Sequence, residues 1–364
     1  MQIQDIISHL ETLAPPSLQE SYDNSGLIVG DKSTNVSQVL ICLDITEELI
    51  QEAIDKSCNL IIAHHPIIFS GIKKLNGKNY VERCIIKAIK NDIAIYAIHT
   101  NLDNVLNGVN FEIGKRLGLK NMKILDPKAK TLKKLVSFVP TGHKDEVLNA
   151  LFAEGAGVLG NYSEASFQSK GMGTFKANEE AKPFVGKKDH RHEEEEIRIE
   201  VLLKSSLESK VVNALLKAHP YEEVAYEIYA IENKDNTIGS GMIGELEEET
   251  DALEFLQNIK KVMAADCLRF TNIHKKKIKK IAWCGGSGSF LLSKAIAAGS
   301  DLFMSSDFKY HQFFDADNQI IIADIGHYEN EQYTINLIAN ELKKKFSTFA
   351  FLLTDTNTNP INYL

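Results

Sequence analysis

Cysteine is scarce. The five residues (Cys42, Cys58, Cys84, Cys267, Cys284) are odd in number, scattered, and never spaced C-x-x-C. Neither a disulfide framework nor a thiolate zinc site is indicated, so any metal has to be held by His, Asp and Glu. Long apolar runs are missing too: none approaches the roughly 20 residues that span a bilayer. The N-terminal MQIQDIISHLETL carries acids in an amphipathic helix pattern, unlike a signal peptide. A cytoplasmic protein with no membrane partner is expected. Nor is there an excess of positive charge. With 41 Lys and Arg against 49 Asp and Glu, a net charge of -8 and a pI near 5.8, the surface is not built to neutralise phosphates, and a nucleic-acid partner is not expected. The local basic cluster HKKKIKK (274–280) reads as a solvated lead into a strand.

What is there is ordinary for a globular chain: 364 residues, 44% hydrophobic and 25% charged, enough for two or three domains. Apolar strand-like runs alternate with helical patterns. VLICLDI (39–45) precedes the helix-like TEELIQEAIDKS, with Thr46 as N-cap. NLIIAHHPIIF, a helical YVERCIIKAIKN and the strand IAIYAIHT follow. The same order returns late in KKIAWCGGSGSF, LLSKAIAAGS, DLFMSS, QIIIADIG and the helix YENEQYTINLIANELKKKF. Short apolar runs separated by single helices predict an α/β fold with a mixed sheet covered on both faces.

The middle of the chain differs. LKKLVSFVP, the helix HKDEVLNALFAEG, a Gly- and Ser-rich stretch, IRIEVLLKS, the helix SLESKVVNALLKAH and the strand EEVAYEIYAI give the order strand-helix-strand-strand-helix-strand. That is a ferredoxin-like α+β pattern. An inserted domain over 127–235 is therefore expected, interrupting a core built from 1–126 and 236–364.

In an open α/β sheet, ligands gather at the carboxyl ends of the strands. His64 and His65 sit at such an end, in IIAHHPIIF (61–69), and Pro66 restrains the residue before it. AIYAIHTNLD (94–103) ends in His99 and then Asp103. QIIIADIGHYENE (319–331) ends its strand at Asp324 and enters a helix in which His327 and Glu331, spaced i, i+4, share a face. From these strand ends, three histidines and two carboxylates would form an N/O set suited to Zn, Mn, Fe or Co and able to bridge two ions. Adjacent histidines can then serve two different ions.

Other strings are weaker signals. GSGMIG (239–244) fits G-x-G-x-x-G, but EL-EEET follows in place of an apolar helix, so it is not read as a dinucleotide fingerprint. GGSGS follows a strand and precedes a helix, so Gly285, Gly286, Ser287 and Gly288 are a candidate anion site, with a plain tight turn as the alternative. HRHEEEE (190–196) reads as a solvated acidic loop, and His219, before Pro220, as packing or turn chemistry.

Together DNSGLIVG (23–30), AHHP (63–66), HTNLD (99–103), GGSGS (285–289), SSDFKYH (305–311) and GHYENE (326–331) resemble the Nif-three-like dinuclear-metal family, whose bacterial members are commonly labelled GTP cyclohydrolase I type 2 homologues. The likeness covers 1 to about 126 and 236 to 364. The middle region resembles the PII-like or CutA-like domain of longer members, most visibly in AHPYEEVAYEIY (218–229). The resemblance implies two divalent metal ions per chain, zinc first, on His64, His65, Asp103, His327 and Glu331, and a homohexamer. It also implies a hydrolase whose label makes the substrate GTP. The same ligands would suit phosphate-ester hydrolysis of nucleotides, and a regulatory scaffold with a sensing PII-like domain is the non-enzymatic alternative. Asp23, Asp307 and Asp324 are the acids best placed by motif to orient ligand imidazoles. His99 and His311 remain as candidate acid/base groups.

Overall fold

The computed structural model describes residues 1–364. The chain divides into two compact units, Met1–Pro127 with Asn236–Leu364, and Lys128–Asp235.

The first unit contains two mixed sheets. One has the order Gly26–Val29, Ala94–Ala97, Leu60–Ala63, Val39–Cys42, Phe351–Leu353. Its neighbours run parallel except for Gly26–Val29, which pairs antiparallel with Ala94–Ala97. The three central strands are buried at every residue, as expected of parallel strands covered on both faces. Leu40, Ile61 and Ile95 point to the helices Glu47–Asp55 and Tyr80–Lys90, where Leu49, Ile50, Cys84 and Ile85 close the layer. Val39, Ile41, Leu60, Ile62 and Tyr96 point the other way, onto Ile3, Ile6, Ile7 and Leu10 of the N-terminal helix and Leu337, Ile338 and Leu342 of Thr334–Lys345. Helix starts follow capping chemistry: the Thr46 side chain accepts from Leu49 N at 3.2 Å and Asn79 from Glu82 N at 2.9 Å.

The second sheet has the order Arg269–Phe270, Ile321–Asp324, Leu302–Ser306, Lys277–Ser287, Gly239–Asp251, Lys120–Pro127. Its parallel centre is Ile321–Asp324, Leu302–Ser306 and Lys277–Ser287; the flanking pairs are antiparallel. Trp283, Met304 and Ile321 join the core that also holds the N-terminal helix, so the two α/β blocks share one apolar interior. GSGMIG begins a strand here. A Cβ on Gly241 would lie 2.7 Å from Leu291 Cδ1 and 2.9 Å from Trp283 O, so that glycine serves close packing. The single C-terminal helix predicted from YENEQYTINLIANELKKKF is two pieces, His327–Glu331 and Thr334–Lys345.

The second unit runs Leu132–Pro140, helix Lys144–Ala153, Ser166–Lys176, Arg191–Lys204, helix Glu208–Ala218, Tyr226–Ala230. Its sheet order is Ser166–Lys176, Arg191–Lys204, Leu132–Pro140, Tyr226–Ala230, with every neighbouring pair antiparallel. Ile197, Ile199, Val201 and Leu203 alternate inward onto Val147, Leu151, Val211 and Leu215. Six residues of HRHEEEE, the expected loop, are instead strand: Arg191 to Glu196 pair with Lys176 to Gly171. Glutamate is a poor strand former, yet the ladder imposes the conformation, and the glycines opposite leave room. A Cβ on Gly173 would meet Glu196 Oε2 at 2.1 Å. No helix of the chain is long and apolar enough to cross a membrane.

Candidate metal centre

At the end of Leu60–Ala63 the chain leaves the sheet while two backbone bonds still hold it, His64 N to Cys42 O at 3.1 Å and His65 N to Leu43 O at 2.9 Å. Both rings lean toward the same space, with centroids 4.9 Å apart. His64 is fully buried. Its Nδ1 lies 2.8 Å from Ile98 O. A carbonyl can only accept, so Nδ1 carries a proton, and Nε2 is the nitrogen left for a cation. The other imidazoles repeat the arrangement with carboxylates: His65 Nδ1 with Asp44 Oδ1 at 2.7 Å, His99 Nδ1 with Asp23 Oδ1 at 2.8 Å, and His327 Nδ1 with Asp307 Oδ2 at 2.6 Å.

Glu331 is the focus of the Nε2 atoms. Its Oε2 lies 3.0 Å from His65 Nε2 and 3.1 Å from His327 Nε2, and its Oε1 lies 3.8 Å from His64 Nε2. Asp103 Oδ1 is 3.6 Å from His64 Nε2, and both of these buried atoms lack a hydrogen-bond partner. That separation is too long for a hydrogen bond, and buried polar atoms are rarely left unmatched. A bare imidazole nitrogen facing a carboxylate oxygen is a donor pair for a cation. Three overlapping groups have donor atoms within 4.8 Å of one another: His64, His65 and His99; His65, His327 and Glu331; His64, Asp103 and Glu331. The donor types are nitrogen and oxygen, which fits Zn, Mn, Fe or Co, and an Nδ1 anchor on every ring is the pattern that orients ligand imidazoles.

The electrostatics agree with a site that needs positive charge. Burial opposes the charge of Glu331, but the imidazoles of His327 and His65 outweigh it and hold its carboxyl well below the usual range. Burial pulls His65 and His327 down, yet their carboxylate neighbours push them up to about 10 and about 11. Burial and the nearby Glu331 charge push Asp103 up to about 8. Burial likewise opposes ionisation of Asp23, and hydrogen bonds from His99, Thr100 and Asn24 overcome it. Below pH 8, then, protons stand where cations would. Divalent metal uptake at pH 7 is expected to expel about two protons per chain, one each from His65 and His327, or about three if Asp103 also ionises. Affinity should climb with pH through the neutral range. Calorimetric titration in buffers of different ionisation enthalpy measures this, and uptake with no proton release would contradict it.

All five residues named as metal ligands from the sequence are in the cluster. His99, named as an acid/base candidate, is brought beside His64 and His65, with ring centroids 5.3 and 5.2 Å away. His311 is not brought there. It is exposed on the 3-10 turn Tyr310–Ala316, stacked among Tyr310 and Phe314, and does not line the cavity, so nearness in sequence to Asp307 misled. Among the acids, Asp23 and Asp307 each hold a histidine. Asp324 instead accepts from Phe308 N at 2.9 Å and Gly326 N at 3.1 Å and pairs with Arg269, fixing the turns on either side of Asp307 and His327.

The glycine run has a different use from the expected anion site. Gly285 N donates to Asn110 Oδ1 and Gly288 N to Ser305 Oγ, so two of the four backbone donors are already engaged. The helix that follows, Leu292–Ala297, is six residues long and begins after a further 3-10 turn, too short to focus an anion. A Cβ on Gly286, where φ is +60°, would lie 2.6 Å from Glu331 Oε1. The run lets the backbone approach the Glu331 carboxylate.

Two contributors escaped sequence reading. Asp44, inside VLICLDI, holds His65, and Thr358 Oγ1 donates to Asp44 Oδ2 at 3.2 Å. Asn359, Pro360 and Ile361 line the cavity of about 440 Å³ in which His65, His99, Asp103, His327 and Glu331 also stand. An aspartate one residue beyond an apolar strand run was the only signal for Asp44; nothing local marked the C-terminal segment. Asp44→Ala should weaken divalent-metal binding about 10–100-fold, as loss of an imidazole anchor does. A chelator competition titration checks this, and an unchanged affinity would reduce Asp44 to a packing role.

The fold and site define an α/β protein whose first unit, built on two mixed sheets, carries a cluster of imidazoles and carboxylates at its strand ends. The chain belongs to the Duf34/NIF3 (NGG1p interacting factor 3) family, whose profile matches residues 1–360. It is 36% identical over 367 residues to the GTP cyclohydrolase 1 type 2 homolog of Bacillus subtilis, covering 99% of this chain and 98% of that one. To the protein of the same name from Halalkalibacterium halodurans it is 40% identical over 326 residues, 89% of this chain and 88% of the other. A crystal structure of a Bacillus cereus protein related to NIF3 superposes with a TM-score of 0.87 at 37% identity, covering 100% of this chain and 99% of that one.

Proposed function

We propose that the chain is a dinuclear metal-dependent hydrolase of a small molecule, with His64, His65, Asp103, His327 and Glu331 holding two divalent ions, zinc first among Zn, Mn, Fe and Co. The observation that carries this reading is the convergence of imidazole Nε2 atoms on the buried carboxylate of Glu331 and the half-buried one of Asp103, while each Nδ1 is tied to a separate acceptor. Two ions bound there supply Lewis acidity and a source of hydroxide near neutral pH. The remaining work belongs to the chain. The Ile98 carbonyl, Asp44 and Asp307 hold the rings so that their lone pairs face inward. His99, with Nδ1 tied to Asp23, exchanges a proton at Nε2, and Phe69, edge-on to its ring at 5.8 Å, shields one side of it. Relatives named GTP cyclohydrolase 1 type 2 homolog make hydrolytic opening of the guanine imidazole ring, with loss of formate, the first reaction to try.

The unit Lys128–Asp235, with its own core, favours a second reading, a regulatory scaffold in which a PII-like or CutA-like domain senses a small molecule. A cytoplasmic homohexamer is part of the same proposal, and light scattering on the purified protein tests the assembly. The function itself is tested by elemental analysis followed by a nucleotide panel scored for formate, phosphate and pterin fluorescence. Close to two ions per chain and product formation abolished by chelation are expected. At most one ion per chain after reloading would overturn the dinuclear reading; two ions without any product would favour the scaffold.

A further inference from the structure

Four carboxylates, those of Glu20, Asp44, Asp103 and Glu331, line the cavity that holds the imidazole cluster, and its cationic groups are histidines alone. Aromatic rings complete the wall. Tyr22 (68% exposed), Phe69 (56%) and Phe290 (64%) present large apolar faces to solvent beside it. Exposed rings around a concave polar site are contact surface for a ligand. The Phe69 ring centroid lies 5.8 Å from that of His99 at an interplanar angle of 85°, so the ring stands next to the imidazole cluster. Glu20 is oriented as well: Asn104 Nδ2 donates to its Oε1 at 2.9 Å, and Glu20 N donates to Thr100 Oγ1 at 2.9 Å.

The charge balance narrows the ligand. This step rests on the dinuclear reading above: apart from the ions and the histidines that hold them, the lining offers no lysine or arginine to grip a polyphosphate, and four carboxylates line it instead. An anionic tail would meet Glu20 and Asp44, whereas ring N–H groups find carboxylate acceptors and a π face finds aromatic partners.

We propose that the cavity recognises an uncharged, planar, N–H-bearing heteroaromatic, a nucleobase or nucleoside, by stacking on Phe69 and Phe290 and hydrogen bonding to Glu20, and that phosphate groups contribute nothing to its affinity. A nucleotide that binds does so through its base, with the phosphates directed to solvent.

The test is calorimetric titration of the metal-loaded full-length protein with guanosine, GTP and tripolyphosphate at one ionic strength, with metal content measured afterwards. Guanosine and GTP should bind with Kd values within about tenfold of each other, and tripolyphosphate should not displace guanosine. Phe69→Ala should weaken guanosine binding about tenfold while leaving metal content unchanged. GTP binding more than about tenfold tighter than guanosine, displacement by tripolyphosphate, or no binding by any member of a panel of neutral purines and pyrimidines would overturn the proposal. Guanosine binding unaltered in both Phe69→Ala and Phe290→Ala would overturn the stacking assignment. Because the readout is binding, its failure is separable from that of the hydrolase reading. Guanosine bound without turnover leaves this inference standing and removes the hydrolase, whereas phosphate-ester turnover without nucleoside binding does the reverse.

Discussion

Glu331→Gln is expected to lower divalent-metal affinity by at least about 100-fold and to abolish turnover in parallel with occupancy. The amide keeps the shape of the carboxylate but removes the charge on which His65 and His327 converge at 3.0 and 3.1 Å. In the metal-free protein the effect on stability is smaller. His65 keeps its bond to Asp44 and His327 its bond to Asp307, so the loss is confined to the contacts with Glu331, about 1–3 kcal/mol. The sign is checkable. The folded-state pKa values of these histidines are raised, to about 10 and about 11, so their pairing with Glu331 stabilises the metal-free protein fully below the ordinary histidine range and is lost as pH rises through those values. Glu331→Gln should therefore cost most just below the ordinary histidine range, about pH 5–6, and little above pH 11. Thermal melts with and without metal, with elemental analysis of each sample, separate the two effects. If the variant kept full activity per chain after its metal had gone, hydrolysis would not depend on metal.

Gly286→Val should be the most damaging single change outside the donor set. Its Cβ would lie 2.6 Å from Glu331 Oε1 and 3.4 Å from His327 Cε1, and a β-branched residue at φ +60° is strongly disfavoured in its own right. Together the backbone and the collision should cost about 3–5 kcal/mol and displace the carboxylate, with loss of bound metal. Gly118→Ala isolates the backbone contribution: φ there is +73°, and nothing lies within 4 Å of an added Cβ. That control should cost about 1–2 kcal/mol and leave metal content unchanged. If Gly286→Val retained its metal, Glu331 would not depend on that backbone approach, and the glycine run would be a plain turn.

Both experiments turn on contacts between segments far apart in the chain, and so does the division between what was legible in the sequence and what was not. The buried strands Val39–Cys42, Leu60–Ala63 and Ala94–Ala97 were readable because apolar runs bounded by helical patterns are local signals. His64 with His65, and His327 with Glu331, were readable for the same reason: a strand end and an i, i+4 helical spacing each fix neighbours within a few residues. The acidic first part of the strand Arg191–Lys204, residues 191–196, was not, since its conformation comes from the ladder with Ser166–Lys176 and not from its own composition. Nor was the place of His311. His99 joins His64 because Ala94–Ala97 and Leu60–Ala63 are parallel neighbours whose ends open on the same side, while His311 is carried outward by a 3-10 turn. Asp44 reaches His65 across the adjacent strand pair, Thr358 reaches Asp44 from 314 positions away, and Gly286 meets Glu331 only where the strand Lys277–Ser287 passes the helix His327–Glu331. By itself the sequence determined the class of fold and the chemistry of the donor set, because periodicity and residue type are properties of short segments. Tertiary structure alone decided which acceptor orients which imidazole and which glycine admits the central carboxylate, because those depend on strand order and on how closely two backbones approach.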